Sequence, residues 1–157
     1  MIQLFFFSFL FLVLLNGCQF NNEKEDLFEF KDSFVGDNSS IGSIINQLPS
    51  GEYVKGFKLE TNDEPYGIII NYEGIEAEEI EKTYKETAIY NASFIFALVQ
   101  NAEWVTFRFD HKEYKLKKEE LQNWYGEELR NFTSEDELRK LTQEYLKDEN
   151  KVNEFFK

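Results

Sequence analysis

The N-terminal segment constrains this chain more than any other part of its sequence. Residues 2–15 are apolar except for Gln3 and Ser8, and the only cysteine of the chain, Cys18, follows three positions later. A run of roughly 14 apolar residues is too short to cross a bilayer core as a helix, which needs about 20. Its length and position are typical of the apolar part of an export signal. Because one cysteine cannot form an intramolecular disulfide, the exported domain must be stable from its core alone.

The residues before the cysteine resemble the lipobox of bacterial lipoproteins. In that motif a leucine stands three positions before the cysteine and a small residue directly before it, as Leu15 and Gly17 do here. The resemblance implies a lipoprotein signal peptide over residues 1–17, cleavage before Cys18, and lipid on its thiol. We therefore expect a protein held by lipid on the extracytoplasmic face of the cell membrane. An uncleaved N-terminal anchor with an unmodified Cys18 is the alternative.

The part of the chain after the signal is strongly acidic. Thirty Asp and Glu against 17 Lys and Arg give a formal net charge of −13, and residues 1–17 contain none of them. This charge argues against nucleic acid as a partner, because nucleic acid binding requires a basic surface. It also argues against a domain that lies flat on anionic lipid. The length suffices for one domain with a substantial core.

Hydrophobic periodicity divides the mature chain into three parts. A polar spacer follows the lipidated cysteine (18–30), a single domain covers residues 31–148, and a C-terminal tail covers residues 149–157. The periodicity predicts an α+β domain with an antiparallel sheet of two hairpins, separated by a long helix and flanked by N- and C-terminal helices on one face. The predicted elements are a helix from the capping residues 37–39 to Pro49, strands 53–60 and 66–72, a helix 76–101, strands 104–109 and 113–116, and helices 118–125 and 134–147.

Three stretches together resemble a known domain family. They are Phe34-Val35-Gly36-Asp37-Asn38-Ser39, the Ile-rich helix that ends at Leu48-Pro49, and the stretch from Glu113-Tyr114 to Trp124-Tyr125-Gly126. They resemble an uncharacterised domain of Gram-positive bacteria that occurs mainly in small predicted lipoproteins. That domain is also appended to membrane sensors related to the β-lactam sensor metallopeptidases. The resemblance covers roughly residues 31–129 and implies a location without implying a chemistry, because the family has no assigned activity.

Catalytic and metal-binding residue patterns are absent from the sequence. His111 is the only histidine, and it lies in a predicted exposed turn beside Asp110 and Lys112. Since Cys18 is assigned to lipid, a zinc site lacks ligands, and no His-Glu-x-x-His, Gly-x-Ser-x-Gly or phosphate-loop motif occurs. We therefore predict no catalytic residues, no metal and no cofactor. A catalytic pair of carboxylates can be neither identified nor excluded, because 30 acids in a short chain form pairs everywhere. An envelope hydrolase that uses two carboxylates is therefore the alternative function.

Two segments are candidates for binding. Backbone N–H groups at the helix start could hold an anionic group or a peptide carboxylate. The simpler interpretation there is a turn, with Gly36 in a conformation open to few other residues and Asp37 or Asn38 capping the helix. Calcium binding by Asp37, Asn38 and a distant acid is a further alternative, although the spacing is not that of an EF-hand. The four residues of this candidate are Gly36, Asp37, Asn38 and Ser39.

Trp124 and Tyr125 form the second candidate segment. They could rim a groove, whereas core packing against the final helix is the favoured interpretation. The sequence as a whole favours a non-enzymatic, lipid-anchored extracytoplasmic domain. We expect it to bind an envelope protein or peptide, as a binding module or as an accessory of a membrane sensor.

Overall fold

Alternating apolar residues build a four-stranded sheet in the structure, which is a computed structural model that describes residues 26–157. The predicted signal peptide, Cys18 and the first part of the predicted spacer lie outside the described residues. The strand order in the sheet is β1-β2-β3-β4. The strands are β1 (Val54–Glu60), β2 (Gly67–Tyr72), β3 (Trp104–Phe109) and β4 (Lys112–Lys117).

The two outer strand pairs are antiparallel hairpins, as predicted, but the central pair is parallel. The predicted fully antiparallel sheet is therefore wrong at its centre, where Gly67 to Asn71 pair with Trp104 to Arg108. The cause is the helix α2 (Ile80–Leu98), because its 19 residues span about 28 Å at 1.5 Å per residue. That length carries the chain back to the end of the sheet at which β2 begins. A strand that starts there runs parallel to β2.

Helix α1 (Asn38–Gln47) follows the prediction closely. Its N-cap is Asp37, it ends before Pro49, and its isoleucines at helical spacing are buried. The other helices are α3 (Lys118–Tyr125), α4 (Glu135–Leu146) and α5 (Glu149–Phe155), and short 3-10 helices occupy Leu27–Phe30, Gly51–Tyr53 and Leu129–Asn131. None of the helices within residues 26–157 combines the length and apolar character needed to cross a membrane.

Helix α2 lies at the centre of the domain, and its second half is buried on all sides. On one side, Tyr84 stacks on Phe109 of β3 with ring centroids 4.2 Å apart. On the same side, Asn91 donates a hydrogen bond of 3.0 Å to the hydroxyl of Tyr72 on β2. Tyr90 and Ser93 lie on other sides of the helix, roughly 100° and roughly 160° around its axis from Asn91. Since α2 contacts α4 as well as the sheet, the sheet, α2 and α4 form three successive layers.

Both ends of the described chain are packed onto this core. Leu27 is buried in a short helix that begins where the spacer was predicted, and Asp26 caps it by accepting the N–H of Phe28 at 2.9 Å. Residues predicted as a C-terminal tail form α5, with Val152 buried. The packed domain therefore starts earlier and ends later along the chain than the sequence indicates.

Candidate binding surface

The Gly36–Ser39 segment is an exposed helix start. The carboxylate of Asp37 accepts hydrogen bonds from the hydroxyl of Ser40 (2.6 Å) and from its backbone N–H (3.1 Å), and these bonds lower the pKa of Asp37. A negative charge thus already occupies the helix start. Gly36 has no positive φ and its absent Cβ would meet nothing within 4 Å, so the expectation of an unusual backbone conformation there is wrong.

Trp124 and Tyr125 pack against the C-terminal helices. The ring of Trp124 lies 4.9 Å from that of Tyr145 and 5.2 Å from that of Phe155. The hydroxyl of Tyr125 is 2.9 Å from that of Ser93, and burial raises the pKa of Tyr125 to about 12. In the described part of the chain, no hydrogen bond or aromatic contact joins this pair to the Gly36–Ser39 segment.

The titratable groups of residues 26–157 form no cluster of three or more His, Cys, Asp or Glu side chains that could hold a metal ion. His111 is exposed in the turn between β3 and β4. Burial raises the pKa of Glu86, yet this carboxyl lies on α2 and lines neither the cleft nor the sheet face described below. This arrangement gives no support to a hydrolase that uses paired carboxylates.

A cleft with a volume of about 590 Å³ lies on the helical side of the domain. Glu135 of α4 accepts the N–H of Leu27 at 3.2 Å and pairs with Arg139. The cleft therefore adjoins the point from which the chain continues toward Cys18. Its polar walls are Asn46, Gln47, Ser50, Glu52, Glu135 and Arg139, and its less polar walls are Leu27, Leu48, Pro49 and Tyr90.

The second surface is the face of the sheet that points away from α2, which we call the open sheet face. Residues that alternate with the buried ones along each strand point to it, and its charged side chains on β3 and β4 are exposed. Ile68, Ile70, Val105, Phe107 and Leu116 on the opposite face are fully buried. The open sheet face consists of Gly56, Lys58, Glu60, Gly67, Ile69, Asn71, Trp104, Thr106, Arg108, Glu113, Lys115 and Lys117.

Trp104 is held flat on the open sheet face. Its indole N–H donates to the carbonyl of Pro65 at 2.8 Å, and its ring lies over the backbone of Gly67. The ammonium of Lys115 lies 4.2 Å from the centre of the ring, a distance at which a cation is attracted to the aromatic face. Depressions of about 240 Å³ and 380 Å³ meet at Pro65 and Trp104.

The charge of the open sheet face differs in sign from that of the whole chain. It carries four basic and two acidic side chains, whereas the chain has a net charge of −13. Both acids are paired within the face, Glu60 with Lys58 and Glu113 with Arg108, and Lys117 pairs with Glu120. Lys115 forms no ion pair with any carboxylate in the described range.

The open sheet face is not among the sites that the sequence predicts. A signal was present, because alternate positions of the second hairpin carry Trp104, Arg108, Lys115 and Lys117. The position of Trp104 opposite Gly67, however, depends on the parallel pairing of β2 with β3, and no local pattern indicates that pairing.

A comparison with protein families shows the family of the domain. Residues 27–119 match the model of a domain of unknown function, DUF4825. The chain belongs to the DUF4825 family. Its DUF4825 match begins at buried Leu27 and ends in α3, while Tyr125, Leu138 and Val152 beyond it are buried in the same core. No curated protein sequence and no solved structure gave a significant match to the chain.

Proposed function

We propose that this DUF4825 protein is a lipid-anchored binding domain on the extracytoplasmic face of the cell membrane. The observation that carries the proposal is the sequence Leu15-Asn16-Gly17-Cys18 after the apolar residues 2–15, with Cys18 the only cysteine. The cleft and the open sheet face support a binding role. The cleft places charged Glu52, Glu135 and Arg139 beside apolar walls, and the face combines exposed charged groups with the partly buried Ile69 and Trp104. The proposed partner is a protein or peptide of the envelope, which can include a membrane sensor.

The anchor would hold the domain close to the bilayer. The packed domain begins at Leu27, so only the eight residues 19–26 separate it from Cys18. A chain of that length spans at most about 30 Å. A domain with so short a connection cannot reach partners far from the membrane surface.

The position of Leu27 also supports a proposal for the orientation of the domain. Leu27 bonds to Glu135 of α4, and α4 is separated from the sheet by α2. We infer that the helical side with its cleft is directed toward the membrane. The open sheet face, on the other side of α2, is then directed away from the membrane and toward partners in the envelope.

Mass and partitioning together test the anchor. We expect the intact mass of the protein from the membrane fraction to correspond to a chain that starts at Cys18 and carries acyl chains. In a detergent phase separation it should enter the detergent phase, and the Cys18→Ala variant should lose the acyl mass. A protein that retains residues 1–17, or that partitions as its Cys18→Ala variant does, contradicts the proposal.

A further inference from the structure

We infer that the open sheet face docks an extended, acidic polypeptide segment with an apolar residue between two acidic ones. The inference names the partner of the binding role proposed above, and it does not depend on the lipid anchor. It rests on the charge of the face, on the partly buried side chains at its centre, and on the register of the four strands.

Charge complementarity selects an acidic partner. The face carries four basic side chains, of which Lys58 and Arg108 pair with acids of the same face and Lys117 pairs with Glu120, so Lys115 is the one without an ion pair in the described residues. Its ammonium lies over the ring of Trp104, in a depression that Glu103 and Glu119 also line without forming an ion pair with it. An incoming carboxylate would therefore meet an unpaired ammonium group. Such contacts are strongly screened by salt when they are exposed.

The apolar centre of the face favours a polypeptide over other polyanions. Ile69 on β2 and Trp104 on β3 are only partly buried, and the buried Thr106 lies between Ile69 and Lys115 in the register of the strands. A phosphate polymer or a layer of lipid head groups offers charge but no side chain that would cover these residues. The indole is already fixed by Gly67 and Pro65, so docking need not restrict it further.

The strand register gives the spacing of the partner. Lys58, Ile69, Thr106 and Lys115 are successive cross-strand neighbours, so they form one row across the sheet with a lysine at each end. Three strand spacings separate the lysines, which is about 14 Å. In an extended segment, residues i and i+4 lie about 14 Å apart and share a side with residue i+2. The row therefore fits the pattern acidic-x-apolar-x-acidic.

Short peptides test this pattern directly. The probe is the blocked peptide Glu-Ser-Leu-Ser-Glu, and two comparison peptides replace its Leu by Ser or both of its Glu by Lys. Binding to the full chain in a nonionic detergent is followed by the NMR shift of the Trp104 indole N–H. We expect the probe to bind more tightly than the Ser peptide, and its affinity to fall with added salt. The Lys peptide should cause no shift of the indole resonance.

A pair of charge-reversal variants locates the site. We expect the double substitution Lys58→Glu, Lys115→Glu to lower the affinity for the probe peptide at least tenfold. The matched control is Lys140→Glu with Lys147→Glu, two exposed lysines at the helical side, which changes the net charge equally and should leave affinity unchanged. Thermal unfolding of both variants shows that each is folded. Equal losses in the two variants, or no binding of the probe at millimolar concentration, overturn the inference.

Other occupants of the face give different results. Tighter binding of inorganic polyphosphate or of phosphatidylglycerol vesicles than of the probe, with the same dependence on Lys58 and Lys115, overturns the assignment to a polypeptide. Self-association in sedimentation equilibrium that the Lys58→Glu, Lys115→Glu variant abolishes overturns it in favour of a second copy of the chain. Because the Cys18→Ala variant can be used in every measurement, failure here is distinct from failure of the lipid anchor.

Discussion

The indole ring of Trp104 lies directly against the backbone of Gly67. The two residues are partners in the parallel pair of β2 and β3, and a Cβ atom at position 67 would lie 2.1 Å from the ring. The hydrogen bond from the indole N–H to the carbonyl of Pro65, 2.8 Å long, then holds the ring in this position on the face of the sheet. A glycine is required at position 67 because of this close approach, whatever its backbone conformation.

Gly67→Ala should displace the ring of Trp104 and destabilise the domain. Neither the rigid ring nor the strand backbone can move easily to make room for the added Cβ. We therefore expect the free energy of unfolding to fall by about 1–3 kcal/mol, as at other overpacked sites. Urea unfolding measures the free energy, and the indole N–H resonance reports the position of the ring. Gly56→Ala on the same face is the matched control, because nothing lies within 4 Å of its added Cβ. Equal effects of the two substitutions would show that the close contact is unimportant.

Helix α1 illustrates what the sequence alone can predict. Its N-cap Asp37, its buried Ile41 and Ile44, and the proline that follows it are signals contained within residues 37–49. The two hairpins are equally local, since each joins neighbouring strands through a short turn. Elements of this kind are specified by propensity, spacing and turn chemistry before any long-range contact forms.

The parallel centre of the sheet and helix α5 depend on contacts that are distant in sequence. The direction of β3 is set by where α2 returns the chain, which periodicity does not show. Helix α5 has seven residues, a length at which an isolated helix is not stable in water. It is stabilised by packing, with Phe155 against Trp124 and Phe156 against Tyr114. The open sheet face also depends on contacts that are distant in sequence, because it forms only when β2 and β3 pair. For this reason the sequence does not predict it.

Asp37→Ala tests whether the Gly36–Ser39 segment caps a helix or binds a ligand. Loss of the two bonds to Ser40 should lower the Tm by a few degrees, while Asn38→Ala, at the exposed first helical position, should have little effect. Hydrogen bonding lowers the pKa of Asp37, so its contribution is present above the ordinary carboxyl pKa and is lost as the pH falls through the lowered one. Thermal unfolding at neutral and acidic pH checks both points. A Tm unchanged in Asp37→Ala would argue against the capping role.

Val152→Ala tests whether α5 belongs to the core. Val152 is 3% exposed, so its truncation should cost about 1–3 kcal/mol through lost burial and the cavity that remains. Asn150→Ala provides the control, since Asn150 is exposed on the same helix. Urea unfolding of the two variants gives the comparison. If residues 149–157 were a loose tail, the two substitutions would have the same negligible effect.

Two buried tyrosines should make the domain sensitive to alkaline pH. Burial raises the pKa of Tyr72 and of Tyr125 to about 12 each, from an ordinary value near 10. As the pH rises, the unfolded chain therefore loses these phenol protons before the folded one does. The stabilisation is complete below about pH 10 and is lost between about pH 10 and pH 12, at most about 3 kcal/mol for each group.

Urea unfolding between about pH 8 and about pH 11 measures this loss as a downward slope of the unfolding free energy. Tyr72→Phe with Tyr125→Phe removes both titrating groups, so the slope of the double variant should be much shallower, although its stability near neutral pH also falls. That fall follows from the hydrogen bonds of the two hydroxyls with Asn91 and Ser93. The slope of the unfolding free energy against pH therefore reports the titration of the two tyrosines, whereas the lower stability near neutral pH reports their lost hydrogen bonds. If the double variant kept the slope of the unmodified chain, the alkaline sensitivity would have to arise from other groups, such as the phenols of Tyr84 and Tyr90, whose pKa values burial also raises.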